Sequence, residues 1–476
     1  MKLSNLRARW TEIARAEPTG RWLVNGALAV EAVVISVMLL MLSSITPAER
    51  ALLLVVALVA WALLVALGWT RGTLPLWPVL AVIALTFFGA VLTPSYQSND
   101  VYSYAMYGRI FTEHHRSPYS TYPMHYEGDP MRRHVAEMWQ RTPDVYGLGF
   151  TGLAAGLAPL IGESTFLARF AYQLVAVAAV TAILVLLWKR TRSPVVLAFV
   201  GLHPMIAVSV VNGGHNDALM ALGLLLGILL ALERRVALAA LAFAFAVSIK
   251  ITALPAAIVL AVWALRRWRR RDVAVFSGIV LALGALPYLF LSGWLQTVHT
   301  QSRMISRQSF WMPAQDLFTH VLSLSGSQFG GIAAFVSMLA LGALGFVILW
   351  RHTNGAPEVA VGAIIGAFFV ASPWVMPWYA FAALPLLALR KPNLLTWAVA
   401  IDAALVLVGD QFPSLAPGGV GTVTHLILQM WMPLFAFGAC VAVIVFRPRE
   451  VLGTAPAPDA PAGLAATAAP VLAPSA

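Results

Sequence analysis

The chain has 476 residues, 60% of them hydrophobic and only 11% charged, with a mean hydropathy of +0.81. Soluble domains run at about 45–50% apolar and about 25% charged, so composition excludes a water-soluble globular protein. The net charge of +11 is divided among short basic clusters between apolar blocks, such as Lys189/Arg190/Arg192 and Arg266/Arg267/Arg269/Arg270/Arg271, which excludes the single basic face of a nucleic-acid binder.

In chain order, residues 1–21 are polar and basic, and the apolar run after them is too long for the core of a signal peptide. They read as a cytoplasmic N-terminus. Apolar blocks then predict spans near 22–45, 51–69, 74–94, 165–188, 194–211, 217–232, 236–250, 252–265, 273–291, 331–350, 357–372, 378–389, 394–410 and 423–446. Blocks of about 20 residues suffice to cross a bilayer as helices. The expected fold is therefore all-α, a polytopic transmembrane helical bundle of about 12–14 spans with external loops and short interfacial helices.

The basic clusters set the orientation. With both termini inside the cell, most of the Lys and Arg fall on the cytoplasmic side, as the positive-inside rule requires. Loops 95–164 and 292–330 then face outward from a core over 22–449 in the plasma membrane, and the Ala/Pro-rich stretch 450–476 reads as a disordered cytoplasmic tail. Cys440 is the only cysteine, so no disulfide within the chain is available.

Polar residues gather on the outer side. Directly after the third span comes Ser98-Asn99-Asp100-Val101-Tyr102-Ser103-Tyr104-Ala105-Met106-Tyr107-Gly108-Arg109. Ser98 or Asn99 can cap a new helix, whose spacing puts Asp100, Tyr104 and Tyr107 on one face. Asp100 then either belongs to the cap or serves, at the rim of an apolar cavity, as a base for an attacking hydroxyl.

A second string, Asn212-Gly213-Gly214-His215-Asn216-Asp217, lies between two spans. Its glycines permit a tight turn with backbone close to a ligand. His215, Asn216 and Asp217 supply donors and acceptors, although Asp217 also suits a helix start. Between two further apolar stretches stands Lys250, able to hold a phosphate or to snorkel at the outer rim. The first role predicts that removing Lys250 weakens donor use in a protein that still folds. Arg303, Arg307 and Gln308 in loop 292–330 are further phosphate or sugar candidates. Trp378 and Tyr379 can stack on a sugar or belong to the interfacial aromatic belt.

Asp100-Val101-Tyr102-Ser103-Tyr104, Tyr107-Gly108-Arg109 and Pro118-Tyr119 together resemble the first external loop of bacterial α-1,6-mannopyranosyltransferases of the glycosyltransferase C superfamily. The Gly-Gly-His-Asn-Asp string and the late Pro377-Trp378-Tyr379 are similar to elements of the same family. The resemblance implies a multi-span enzyme using a polyprenyl-phosphate sugar, with Asp100 as catalytic base in the first large external loop. Tyr104, Tyr107, Arg109, His215, Asn216, Asp217, Lys250, Arg303, Arg307, Gln308, Trp378 and Tyr379 are then the expected substrate-binding residues.

On that reading a hexose, expected to be mannose, passes with inversion to a glycolipid or glycan acceptor outside the cell. The partners are the lipid-linked donor, the acceptor and membrane lipids, with no nucleic acid. Metal dependence stays open: Asp100 lacks an adjacent second acid, and neither a DxD pair nor a His-x-x-x-His spacing is present, so no cofactor is required and a divalent metal is only an option. The rival reading is a lipid-linked sugar flippase or other transporter. It calls for repeated halves and mid-membrane charges, whereas Glu31 and Asp402 are isolated acids within spans.

Overall fold

The computed structural model describes residues 3–41, 43–352 and 355–411, together with 438, 441, 442 and 445. Every regular element among the described residues is helical. Five helices are long and apolar enough to cross a membrane: Thr19–Leu40, Pro47–Arg71, Thr165–Thr191, Arg270–Phe290 and Gly326–Trp350. Eight shorter apolar helices complete an all-α polytopic membrane bundle, among them Leu76–Leu92, Asp217–Leu232, Val236–Ile249, Pro357–Ala371 and Leu394–Gly409. The span expected at 423–446 and the tail at 450–476 lie almost wholly outside the described residues.

Local chemistry explains where these helices begin and end. Thr46 and Glu49 form a reciprocal capping box ahead of Pro47–Arg71, and Gly72 ends that helix in the left-handed conformation. The Ser164 hydroxyl accepts from the Leu167 amide at the start of Thr165–Thr191, and the Asn393 side chain does the same for Thr396 before Leu394–Gly409. Large apolar side chains such as Trp22, Val59, Phe88, Phe335 and Trp350 are exposed on the outside of the bundle. In a bilayer that outward face meets lipid, where exposure of such groups carries no hydrophobic cost.

Several departures from the sequence reading matter for the site. Residues 95–164, expected as one external loop with a helix opening at Asp100, contain that helix, Asp100–Thr112, and also an apolar helix that the sequence reading did not give, Leu148–Ile161, packed against it. The approach is so close that a Cβ on Gly108 would overlap the Ala154 carbonyl. Loop 292–330 likewise contains the helices Trp294–Gln301 and Trp311–Leu322.

The expected span 194–211 is also not uniform. Helix Pro194–Gly201 gives way at His203-Pro204 to a π-helical stretch, Ile206–Val211, which runs directly into the Gly-Gly-His-Asn-Asp string. Widened helical turns of this kind are frequent at functional sites. At Lys250 the chain breaks as well. The residue is extended, with φ −150° and ψ 122°, between Val236–Ile249 and a single turn at Ile251–Ala253. Pro255 then sits in the first turn of Leu254–Ala264, where its missing N–H costs nothing.

Candidate active site

The site is assembled where the end of helix Leu76–Leu92 meets the loop at 212–216. The Asn212 side-chain amide donates to the carbonyls of Ala90 and Pro94, both at 3.0 Å, and to the Thr93 hydroxyl at 3.1 Å. Its side-chain oxygen accepts from the Tyr96 amide at 3.2 Å, while its own carbonyl accepts from Gln173 at 2.8 Å. One buried asparagine thus satisfies the end of one span and fixes the start of the segment that carries Asp100. Neither Asn212 nor Gln173 was picked out as a site residue by sequence reasoning, since only contacts far apart in the chain give them this role.

From that junction Asp100 opens its helix, its backbone amide donating to the Ser98 hydroxyl at 3.0 Å. The Asp100 side chain stays 17% exposed, and its Oδ2 lies 3.6 Å from Nδ1 of the fully buried His215. The Tyr104 hydroxyl, one turn along the same helix, is 3.5 Å from that same nitrogen. The His215 ring stacks on Trp378, with centroids 3.6 Å apart and planes at 12°. Gly214 makes the arrangement feasible: its φ of +60° is left-handed, and a Cβ there would press on Val101 and Tyr172.

Facing this group is an ion pair. Lys250 Nζ is 3.0 Å from both Oδ1 and Oδ2 of Asp217, with side chains 15% and 2% exposed. The same ammonium lies 4.2 Å from the centroid of the Tyr379 ring, a cation–π contact. Because Lys250 sits in the helix break, its side chain turns back across the neighbouring helix Asp217–Leu232. The sequence left it either free to hold a phosphate or snorkelling at the rim. The fold instead gives it a buried carboxylate partner.

Electrostatics separates the roles of these groups. Burial raises Asp100 to about 6 from the usual 3.8; the Ser98 hydroxyl and then Lys250 pull it down, and Asp217 pushes it up. Burial first, and Lys250 second, hold His215 well below the ordinary imidazole range. The Asp100–His215 contact therefore joins a carboxylate to a neutral ring. Nε2 of His215 and both side-chain polar atoms of Asn216 are buried without a hydrogen-bond partner.

The remaining expected residues fall in two places. Tyr107 donates its hydroxyl to the Thr142 carbonyl at 3.0 Å. Arg109, expected in the substrate group, has partners within the protein: its Nε pairs with the buried Asp129 at 2.9 Å and its Nη1 donates to the Gly162 carbonyl at 2.8 Å. Asp129 also takes His114 Nε2 at 2.8 Å, so Arg109 and Asp129 together tie segment 95–164 to itself.

Segment 292–330 forms its own group. Arg303 Nη2 meets His299 Nε2 at 3.0 Å, Gln308 Nε2 donates to Asp410 Oδ1 at 3.3 Å, and Arg307 is exposed within electrostatic reach of that carboxylate. This group is strapped to the approach to Trp378: the Ser306 amide donates to the Pro373 carbonyl at 3.0 Å, and the Val375 amide to the Ser306 hydroxyl at 2.8 Å. Among the described residues, no three His, Cys, Asp or Glu come together as a metal site.

Comparison with known proteins decides the family. The family described as Alpha-(1->6)-mannopyranosyltransferase, N-terminal domain, matches residues 19–267, just over half of the chain. The chain belongs to this family.

Its relatives include Alpha-(1->6)-mannopyranosyltransferase A of Corynebacterium glutamicum, 24% identical, the match covering 66% of this chain and 71% of the relative. The protein of the same name from Mycobacterium tuberculosis is 22% identical over 70% of this chain and 69% of its own length. A further mannopyranosyltransferase of that organism is 31% identical over 29% of this chain and 24% of its own. No solved structure matches. The family match takes in Asp100, Tyr104, His215, Asp217 and Lys250, so this membrane glycosyltransferase carries most of the group described above inside its family-defining half. Chemically, the arrangement offers a carboxylate titrating near neutrality, a neutral imidazole beside it and a buried cation opposite.

Proposed function

We propose that the protein transfers a mannosyl residue from a polyprenyl-phosphate mannose to a glycolipid or glycan acceptor at the outer face of the plasma membrane, inverting the anomeric centre. The observation that carries this reading is Asp100, a partly exposed carboxylate at the start of an outer helix, raised to about 6 and set opposite Lys250. Asp100 removes the proton from the acceptor hydroxyl, whose oxygen forms the new bond to the anomeric carbon as the bond to the phosphate oxygen breaks. Lys250 stabilises the departing lipid phosphate by charge. The relatives are named for α-(1→6) transfer; if the product here is α, inversion requires a β-linked donor.

The unpartnered polar atoms of His215 and Asn216 support a sugar at this place. Buried polar groups are costly unless hydrogen-bonded, and the hydroxyls of a pyranose satisfy both donors and acceptors. The aromatic surroundings of Trp378 and Tyr379 suit the apolar faces of the same ring.

The test is transfer of radiolabelled mannose from β-linked polyprenyl-phosphate mannose to extracted glycolipid acceptors in membranes containing the protein. Label in an α-linked product is expected. Use of a nucleotide sugar in preference to the lipid-linked donor would overturn the reading. In the same assay the rate should be flat above about pH 6.5 and fall tenfold per pH unit below about 5.5, because a base with a raised pKa is lost to protonation on the acid side. A rate that is level down to pH 4.5 would remove Asp100 as the titrating base.

Orientation has its own check. In a Cys440→Ala background, Arg116→Cys and Ser327→Cys, both at exposed outer positions, should react with an impermeant thiol reagent on intact cells, whereas Arg269→Cys should be protected. Labelling at 269 from outside would reverse the topology and place the site on the wrong face.

A further inference from the structure

The segment 142–147 is held from several directions at once. The Tyr107 hydroxyl donates to the Thr142 carbonyl at 3.0 Å, and the Trp294 indole N–H donates to the Val145 carbonyl, also at 3.0 Å. The Gly147 amide donates to the Ile249 carbonyl at 3.2 Å, immediately before Lys250. A Cβ on Gly147 would overlap the Ser248 carbonyl and the Tyr288 hydroxyl, so the backbone has no room to shift. Within the segment, buried Asp144 accepts from the Tyr146 amide at 2.9 Å and from the Thr151 hydroxyl at 2.7 Å.

What this framework presents is Tyr146. Its ring meets Tyr104 edge-on, with centroids 5.3 Å apart and planes at 84°, and Phe150 at 5.1 Å and 70°. The residue is only half-buried, and its phenol lies within electrostatic reach of Tyr104, Asp100 and Tyr379. The phenol oxygen of Tyr146 carries lone pairs able to accept from a hydroxyl. The ring-to-ring contacts that hold Tyr146 against Tyr104 and Phe150 do not use its phenol oxygen.

Building on the donor reading above, we propose that Tyr146 is a substrate-contacting residue, its phenol oxygen accepting a hydrogen bond from a hydroxyl of the hexose carried on the lipid phosphate. The contact is to the sugar and not to the phosphate, because Lys250 supplies the charge on the phosphate side. Sequence reasoning passed over Tyr146, which stands in no motif.

Tyr146→Phe keeps the ring that packs on Tyr104 and Phe150 and removes only the oxygen. Affinity is measured in detergent for polyprenyl-phosphate mannose and, separately, for polyprenyl phosphate without sugar. The variant should bind the mannose-bearing lipid about fivefold more weakly, the size of one neutral hydrogen bond, with unchanged affinity for the sugarless lipid and an unchanged melting temperature. Equal affinity of variant and wild type for the mannose-bearing lipid overturns the proposal, and so does an equal loss for both lipids, which would make Tyr146 a structural residue. Wild-type protein that binds neither lipid overturns the donor reading itself, and this inference with it.

Discussion

Replacing Asp100 with Asn should cut transfer by about 10²–10⁴-fold while leaving insertion and melting temperature nearly unchanged. Asn keeps the size and polarity of the side chain and removes its capacity to take a proton at neutral pH. The helix does not depend on the Asp100 carboxylate for its cap, since the Ser98 hydroxyl receives the Asp100 amide. Linkage gives the sign of the stability effect. A carboxylate whose pKa is raised on folding, here from 3.8 to about 6, costs stability once it ionises. That cost is absent below the unfolded value and fully present above the folded one. At pH 7 the Asn variant should therefore be no less stable than the wild type, and slightly more stable if anything. Transfer and thermal unfolding of Asp100→Asn and Asp100→Ala, measured together, separate the roles: near-normal transfer by the Asn variant would take the base out of this segment.

Lys250→Met should be damaging in two ways, one of which the sequence did not foretell. Loss of the cation removes the counter-charge for the leaving phosphate, and transfer should fall at least as far as for Asp100→Asn. The removal also strands the Asp217 carboxylate, which is 2% exposed and paired through both oxygens. Breaking a buried pair on one side costs about 3–5 kcal/mol, so the single variant should melt early or accumulate poorly. This replaces the sequence-based expectation that a Lys250 substitution leaves the fold intact. Replacing the pair together, as Lys250→Met with Asp217→Leu, removes both charges and should recover most of the stability without recovering transfer. Thermal unfolding of both variants in detergent, alongside donor kinetics, decides the matter. A double variant that regains transfer would reduce the pair to a structural strut.

The two experiments draw on different amounts of sequence information. The position of Asp100 after a span, behind a Ser-Asn cap and ahead of Tyr104 and Tyr107, is a local pattern, and the helix it predicts is the one observed. His215, Asn216 and Asp217 were legible as a polar string between apolar blocks for the same reason. Arg109 looked equivalent to them in sequence, yet it faces Asp129 and Gly162. A helix distributes consecutive residues around its whole circumference, and the direction in which each one faces depends on what packs beside it.

Composition and apolar periodicity by themselves determined that this chain is an α-helical membrane protein, because a bilayer admits few ways to satisfy a backbone and demands long runs of apolar side chains. Local spacing determined which short polar strings open helices at span ends. The tertiary structure decided which of those strings meet. Asp100 with His215, His215 with Trp378 and Lys250 with Asp217 are contacts between distant segments, set by the depth and rotation of each helix in the bundle. Those depend on the fit of whole packed faces and on single residues such as Asn212 and Gly214, and no local pattern encodes them.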